Sequence, residues 1–184
     1  EVTPNQRRNA KAVNFGLIYG MSAFGLTRGT DLTLAEAENF IKAYFREFPG
    51  VKAWLDMTRL NAAKYGYVET LLGRRRYFPN LAKGSNPQLR QREEREAINA
   101  PIQGTAADIV KLAMIALPGA LREAGLNARM LLQVHDELIF EVPEEELEKT
   151  VPIIKSVMES AMTLDVPLVC DARAGDNWGE LKAV

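Results

Sequence analysis

Ala128-Arg129-Met130-Leu131-Leu132-Gln133-Val134-His135-Asp136-Glu137-Leu138-Ile139-Phe140-Glu141-Val142 is the stretch on which the fold class turns. Ala128–Val134 and Glu137–Val142 are β-rich runs, and His135-Asp136 between them reads as a tight hairpin turn. Most of the chain before it carries helical signals instead. The expected class is therefore α+β: helices first, then a small antiparallel sheet with helices packed on it.

Outward from this hairpin toward the start, Gln103–Glu123 is a helical candidate interrupted at Pro118-Gly119. A charged helix covers Gln88–Asn99, and Pro101 ends or kinks it. Asn80–Pro87, with Gly, Ser, Asn and Pro, is a loop, and Tyr67–Phe78 is a hairpin with Gly73-Arg74 near its turn. Val51–Tyr65 places Trp54, Leu55, Thr58 and Ala62 at helical spacing. Pro49-Gly50 separates it from a helix that Thr33-Leu34-Ala35-Glu36 opens as a capping box and that runs to about Phe48. A first helix spans about Pro4 to Met21, with proline acceptable in its first turn. Beyond the central hairpin, Pro143–Thr163 is helical with a kink at Pro152, and Val166–Asp171 is a closing strand.

The 184 residues, 47% of them hydrophobic, suffice for one domain or one and a half with a sizeable core. There are no repeats. No apolar run approaches the roughly 18 residues that span a bilayer, and Glu1-Val2-Thr3 does not begin a signal peptide, so no membrane partner is expected. The single cysteine, Cys170, reads as core filler and favours a reducing, cytoplasmic setting. Charge is unevenly spread. Residues 1–111 hold 17 Lys+Arg against 11 Asp+Glu, and residues 112–184 hold 6 against 13. A bound polyanion would lie along the first part, although exposed helices also carry charge for solubility alone.

Arg7, Lys11, Phe15 and Tyr19 stand four apart, so on a helix they share one broad face. Two cations followed by two rings beside Gly20 suit a nucleoside triphosphate: the cations neutralise phosphate oxygens, a ring stacks on the base, and glycine permits close approach. The plain alternative is an amphipathic helix with both rings in the core and both cations in solvent. At the hairpin, a carboxylate at the tip of a rigid turn projects where a hard divalent cation can use it. Turn chemistry alone also accounts for Asp136, and for His135 as a hydrogen-bonded turn residue.

The string Arg7-x3-Lys11-x3-Phe15-Gly16-x2-Tyr19-Gly20, within Arg8 to Ser22, resembles the fingers helix (motif B) of family A DNA polymerases and looks bacterial DNA polymerase I-like. Gln133-Val134-His135-Asp136-Glu137-Leu138 resembles their palm motif C, in the expected order. The resemblance covers essentially the whole chain, to Gly175-Asp176-Asn177-Trp178, with departures at Gly29-Thr30 and Pro152. It implies helical fingers over residues 1–66, then a fingers/palm part over 67–184 in which the hairpin 129–142 carries the metal carboxylate. Arg7 and Lys11 would hold the incoming triphosphate, and Lys11 would be the candidate general acid toward the departing pyrophosphate. Phe15 would pack on sugar and base, and Tyr19 would sit at the insertion site. Asp136 would bind metal with Glu137 in its neighbourhood, and His135 would lie beside the primer terminus. Two Mg²⁺ would be the cofactors, and primer–template DNA and dNTP the partners.

Arg95, Asn99 and Gln103 again recur at four-residue intervals, and by the same resemblance they contact primer–template. Amide side chains suit the sequence-blind acceptors of the minor groove. An ordinary polar helix end is the alternative. Arg74, Arg75 and Arg76 on the hairpin could meet template phosphates. The family's motif A, a strand with the other metal-binding aspartate, has no counterpart here. The expectation is therefore a piece of a longer polymerase, inactive by itself and partnered by its missing N-terminal part. Alternatives are part of a single-subunit RNA polymerase, a non-catalytic nucleic-acid-binding module of the same fold, and a helical scaffold.

Overall fold

The computed structural model describes residues 2–30, 32–81 and 86–184, the side chains at 4, 5, 9 and 12 excepted. Its contacts divide the chain into two compact units, Glu1–Gly104 and Thr105–Val184. The hairpin that follows residue 66, where the sequence reading begins its second part, packs on the preceding helix and shares its core.

In the first unit, α1 (Pro4–Ile18) starts at a capping box in which the Thr3 hydroxyl accepts from the Gln6 N–H and the Gln6 side chain accepts from the Thr3 N–H. It stops at Tyr19, and Gly20 turns left-handed with φ +72°. A short helix, α2 (Ala23–Thr27), follows behind a Ser22 cap; the sequence reading had passed over it. The box at Thr33 opens α3 (Leu34–Glu47) as expected. Phe48 breaks the chain and α4 (Pro49–Tyr65) begins at proline. Buried Val13, Leu17, Leu26 and Ala37 join α1, α2 and α3, with Ile41 and Tyr44 packed against them.

Gly66 ends α4 in the left-handed conformation, and β1 (Tyr67–Glu69) then pairs with β2 (Arg75–Tyr77) around a turn at Gly73. Val68 of β1 and Phe78, the residue after β2, meet Ala62, Leu81, Ala97 and Ala100 in a second core cluster. Part of the loop expected over Asn80–Pro87 lies outside the described residues.

One helix, α5 (Pro87–Glu123), replaces the two that the prolines suggested. Pro101 and Pro118 both lie within it. Each proline forfeits a helical hydrogen bond, but buried residues on both sides of Pro101, such as Ala97, Ile98, Ala100 and Thr105, hold the helical path. The boundary between the compact units falls inside α5. It is long enough, and over an 18-residue window of mean hydropathy 1.4 apolar enough, to suit a membrane span by composition, although no uninterrupted apolar run of that length occurs in it. A core helix can have the same length and composition.

In the second unit, β3 (Arg129–Val134) and β4 (Glu137–Glu141) form the expected antiparallel hairpin. A bulge between Met130 and Leu132 leaves Leu131 without a cross-strand partner. Asn127, just before β3, donates from backbone and side chain to Glu146 at 2.7 and 2.6 Å. A 3₁₀ turn at Glu144–Glu146 leads into α6 (Leu147–Glu159), which contains Pro152. The closing strand expected at Val166–Asp171 does not form; Val169 is 80% exposed and Pro167 cannot donate to a ladder. Two short strands pair instead, β5 (Arg173–Ala174) with β6 (Lys182–Ala183).

Candidate nucleotide and metal sites

On α1 the buried side is Val13, Gly16 and Leu17, one helical stripe. The spacing of four therefore sends Arg7, Lys11 and Phe15 toward solvent. All three are exposed, Phe15 to 46%. That excludes the reading in which Phe15 is core.

The row is physically continuous. Lys11 Nζ lies 5.8 Å from the centroid of the Phe15 ring, and the Phe15 and Tyr19 rings are 5.8 Å apart at a 39° tilt. Among the described residues neither Arg7 nor Lys11 forms an ion pair with a carboxylate, so both charges are available to an anion.

Tyr19 caps the helix, its N–H still bonded to the Phe15 carbonyl at 2.9 Å. Gly20 beside it is tightly enclosed. A Cβ there would lie 3.3 Å from Ile98 Cδ1, 3.4 Å from Arg59 Nη2 and 3.8 Å from Arg95 Cγ. The glycine thus leaves room for these neighbouring side chains. Its left-handed φ alone disfavours a side chain. A cavity of about 90 Å³ beside it is lined by Leu17, Met21, Phe45, Leu55, Lys52, Asp56 and Arg59. Asp56 accepts from Lys52 and from Arg59, and the Lys52 bond is the main reason its carboxyl lies below the usual range.

Arg95, Asn99 and Gln103 all lie on α5, which passes Pro101 unbroken, so the face that the proline had put in question is retained. Arg95 and Gln103 are exposed. Asn99 is half-buried, and its Oδ1 is enclosed without a hydrogen-bond partner. Such an orphaned acceptor costs about 1–3 kcal/mol. Nearby, Arg74 donates to the Gly104 carbonyl at 2.9 Å, and Arg76 and Arg92 both donate to Glu96, at 2.6 and 2.8 Å. These bonds, that of Arg92 first, hold the Glu96 carboxyl below its ordinary value.

At the tip of β3–β4, His135 adopts φ +56°, a left-handed conformation uncommon without glycine. Gln133 Nε2 donates to the His135 carbonyl at 2.9 Å, which supports the turn. His135, Asp136 and Glu137 are all exposed, and among the described residues neither carboxylate has a hydrogen bond or ion pair. No group of three or more metal-ligating side chains forms among the described residues. Mg²⁺ is commonly held by one or two carboxylates, with waters and substrate phosphates completing its oxygens. Asp136 and Glu137 fit that role as a partial donor set.

The sequence reading missed two features. Arg28 lies over the exposed Phe24 ring at 4.8 Å, on the short helix α2. Tyr65, Tyr67 and Tyr77 form a row at the β1–β2 hairpin, and the alternation at 65 and 67 was its only signal.

The model of DNA polymerase family A matches residues 1–180. The chain is 53% identical over 180 residues to DNA polymerase I of Pseudomonas aeruginosa, an alignment with 98% of this chain and 20% of that protein. To DNA polymerase I of Bacillus subtilis it is 50% identical over 182 residues, 99% of this chain and 21% of that one. The chain thus spans about a fifth of the length of these relatives. A solved structure, the POL domain of Pol1 from M. smegmatis in complex with DNA primer-template and dNTP, superposes with a TM-score of 0.85 at 49% identity. That superposition covers 91% of this chain and 30% of the other.

Proposed function

Because this chain belongs to DNA polymerase family A, we propose that it serves template-directed DNA synthesis as part of a longer polymerase, joining dNTP to a primer 3′-hydroxyl. The observation that carries this reading is the solvent-facing row of Arg7, Lys11, Phe15 and Tyr19 on α1. Relatives named DNA polymerase I favour DNA over RNA synthesis.

In this reading the Arg7 guanidinium and Lys11 ammonium bind the phosphates, and the Phe15 ring packs on sugar and base. Tyr19 closes the row at the insertion site. Lys11, one turn before Phe15, gives a proton to the departing pyrophosphate. Arg95, Asn99 and Gln103 read the primer–template without regard to sequence, through donors aimed at the acceptors that every base pair shows in the minor groove. His135 steadies the primer terminus. Asp136 and Glu137 hold Mg²⁺, which when bound stabilises charge on the attacking and departing oxygens. The remaining metal oxygens and the residues 1–66 as fingers, with 67–184 as fingers and palm, belong to the same proposal. So does a cytoplasmic setting, which the single half-buried cysteine supports.

Titration of a fluorescent dNTP against the 184-residue chain tests the reading. Arg7→Ala and Lys11→Ala each weaken binding, while affinity for the corresponding nucleoside, which lacks phosphates, stays the same. Equal dNTP affinity in both variants and the parent would refute it.

A further inference from the structure

The hairpin β1–β2 presents a second row of rings, built from none of the α1 residues. Tyr65 closes α4, Tyr67 opens β1 and Tyr77 closes β2. The left-handed turn at Gly66 brings Tyr65 beside Tyr67, and strand pairing sets Tyr67 opposite Tyr77. Ring centroids are 6.2 Å apart in the first pair and 5.6 Å in the second. Because side chains alternate along a strand, Val68 takes the core position on β1, joined by Phe78 just after β2, while half-buried Tyr67 and exposed Tyr77 pair on the other side. Tyr65 is 54% exposed and Tyr77 65%.

Cations interleave with the rings. Lys64 Nζ lies 4.9 Å from the Tyr65 centroid, and the Arg75 guanidinium lies 4.5 Å from that of Tyr67. Arg75 also pairs with Glu69 at 2.7 Å, and Arg76 and Arg92 share Glu96. At the rings themselves two cations, Lys64 and Arg75, stand against one carboxylate, Glu69. Tyr65 and Tyr77 spend their rings on solvent at either end of half-buried Tyr67, and exposed rings in a group mark a binding surface.

We propose that Tyr65, Tyr67 and Tyr77 form a stacking platform for single-stranded nucleic acid. Unpaired bases have free faces to lay on the rings, and the phosphates between them meet Lys64 and Arg75. A duplex keeps its base faces covered, and an acidic peptide would use the cations but leave the rings idle. The site goes beyond the triphosphate reading of α1 and stands or falls separately from it.

Fluorescence anisotropy of labelled oligo(dT) against the 184-residue chain is the test. The parent chain binds, Tyr77→Ala and Tyr65→Ala each weaken binding about tenfold, and Tyr77→Phe stays within about twofold because the ring remains. Affinity for the fluorescent dNTP is unchanged in Tyr77→Ala, which keeps this result distinct from that of the α1 row. Circular dichroism checks that the variants fold. If an alanine variant does not, ultraviolet crosslinking of oligo(dT) to the unaltered chain decides, with adducts expected on Tyr65, Tyr67 or Tyr77. Undiminished binding by the folded alanine variants, tighter binding of a blunt duplex of equal phosphate number, crosslinks only elsewhere, or no oligo(dT) binding at all would overturn the proposal.

Discussion

The methyl carbon of Thr70 stands 2.6 Å from the point where a Cβ on Gly104 would lie. The turn of the β1–β2 hairpin is therefore seated directly on α5, one residue after Gln103. Arg74 reinforces the seat by donating to the Gly104 carbonyl at 2.9 Å. Gly104→Ala gains helix propensity of nearly 1 kcal/mol but drives a methyl into a stiff β-branched side chain, which costs about 1–3 kcal/mol. The expected net result is lower stability by about 1 kcal/mol. Adding Thr70→Ser removes the offending methyl, keeps the hydroxyl that accepts from the Arg74 N–H, and restores stability. Urea midpoints of the two single variants and the double variant check this, and additive losses would contradict it.

Gly20→Ala is expected to destabilise the chain by about 1–2 kcal/mol through its left-handed φ, apart from the close approach of Ile98 and Arg59. Since Tyr19 is its neighbour, dNTP affinity should fall as well. Thermal denaturation and nucleotide titration read the two effects.

Removing the Lys11 charge should weaken triphosphate binding by at least about tenfold, the scale of a lost charge-assisted hydrogen bond. Asp136→Asn should instead reduce binding of Mn²⁺, used as a paramagnetic stand-in for Mg²⁺, in the presence of dNTP. Electron paramagnetic resonance measures free Mn²⁺ directly. Unchanged Mn²⁺ binding in Asp136→Asn would remove that carboxylate from the metal site.

Glu96 links Arg76 of the hairpin to Arg92 of α5. Its carboxyl is held below the ordinary carboxylate value, chiefly by the Arg92 hydrogen bond. A depressed acid stabilises the folded state at pH above the ordinary value and loses that contribution as pH falls through the depressed one. Glu96→Gln should therefore lower the urea midpoint at neutral pH, by under about 1 kcal/mol for so exposed a pair. The gap should close in acid below about pH 4 and shrink in high salt. A gap that widens in acid would have the wrong sign.

Cys170 should be a slow thiol. Burial is the main cause raising its pKa, with the Glu159 carboxylate adding to it. The sulfur sits 3.7 Å from Met158 Sδ. Alkylation by iodoacetamide at neutral pH is expected to run slower than that of a free cysteine, and to accelerate as pH rises. Rapid modification at neutral pH would contradict this.

Signals carried by a few neighbouring residues proved legible. The Thr33 box starts α3, Gly73 marks the turn of the first hairpin, and β-rich runs flank His135-Asp136. Each involves hydrogen bonds or backbone conformations settled within about four residues. The Val166–Asp171 run shows the limit: apolar composition suggested a strand, but a strand needs a partner, and the sequence does not say whether one is present.

Sequence alone determined the α+β class, the family and the order of the two motifs, because spacing of four on α1 sets which side chains share a face. Packing decided the rest. Pro101 is a local argument against helix, and only buried residues before and after it carry α5 through. Likewise, Tyr77 stands ten residues from Tyr67 in the chain, and the short step from Tyr65 to Tyr67 does not by itself say that their rings meet. They become one surface only when Gly66 turns and β1 meets β2, since ring contacts depend on distances in space and not on residue spacing.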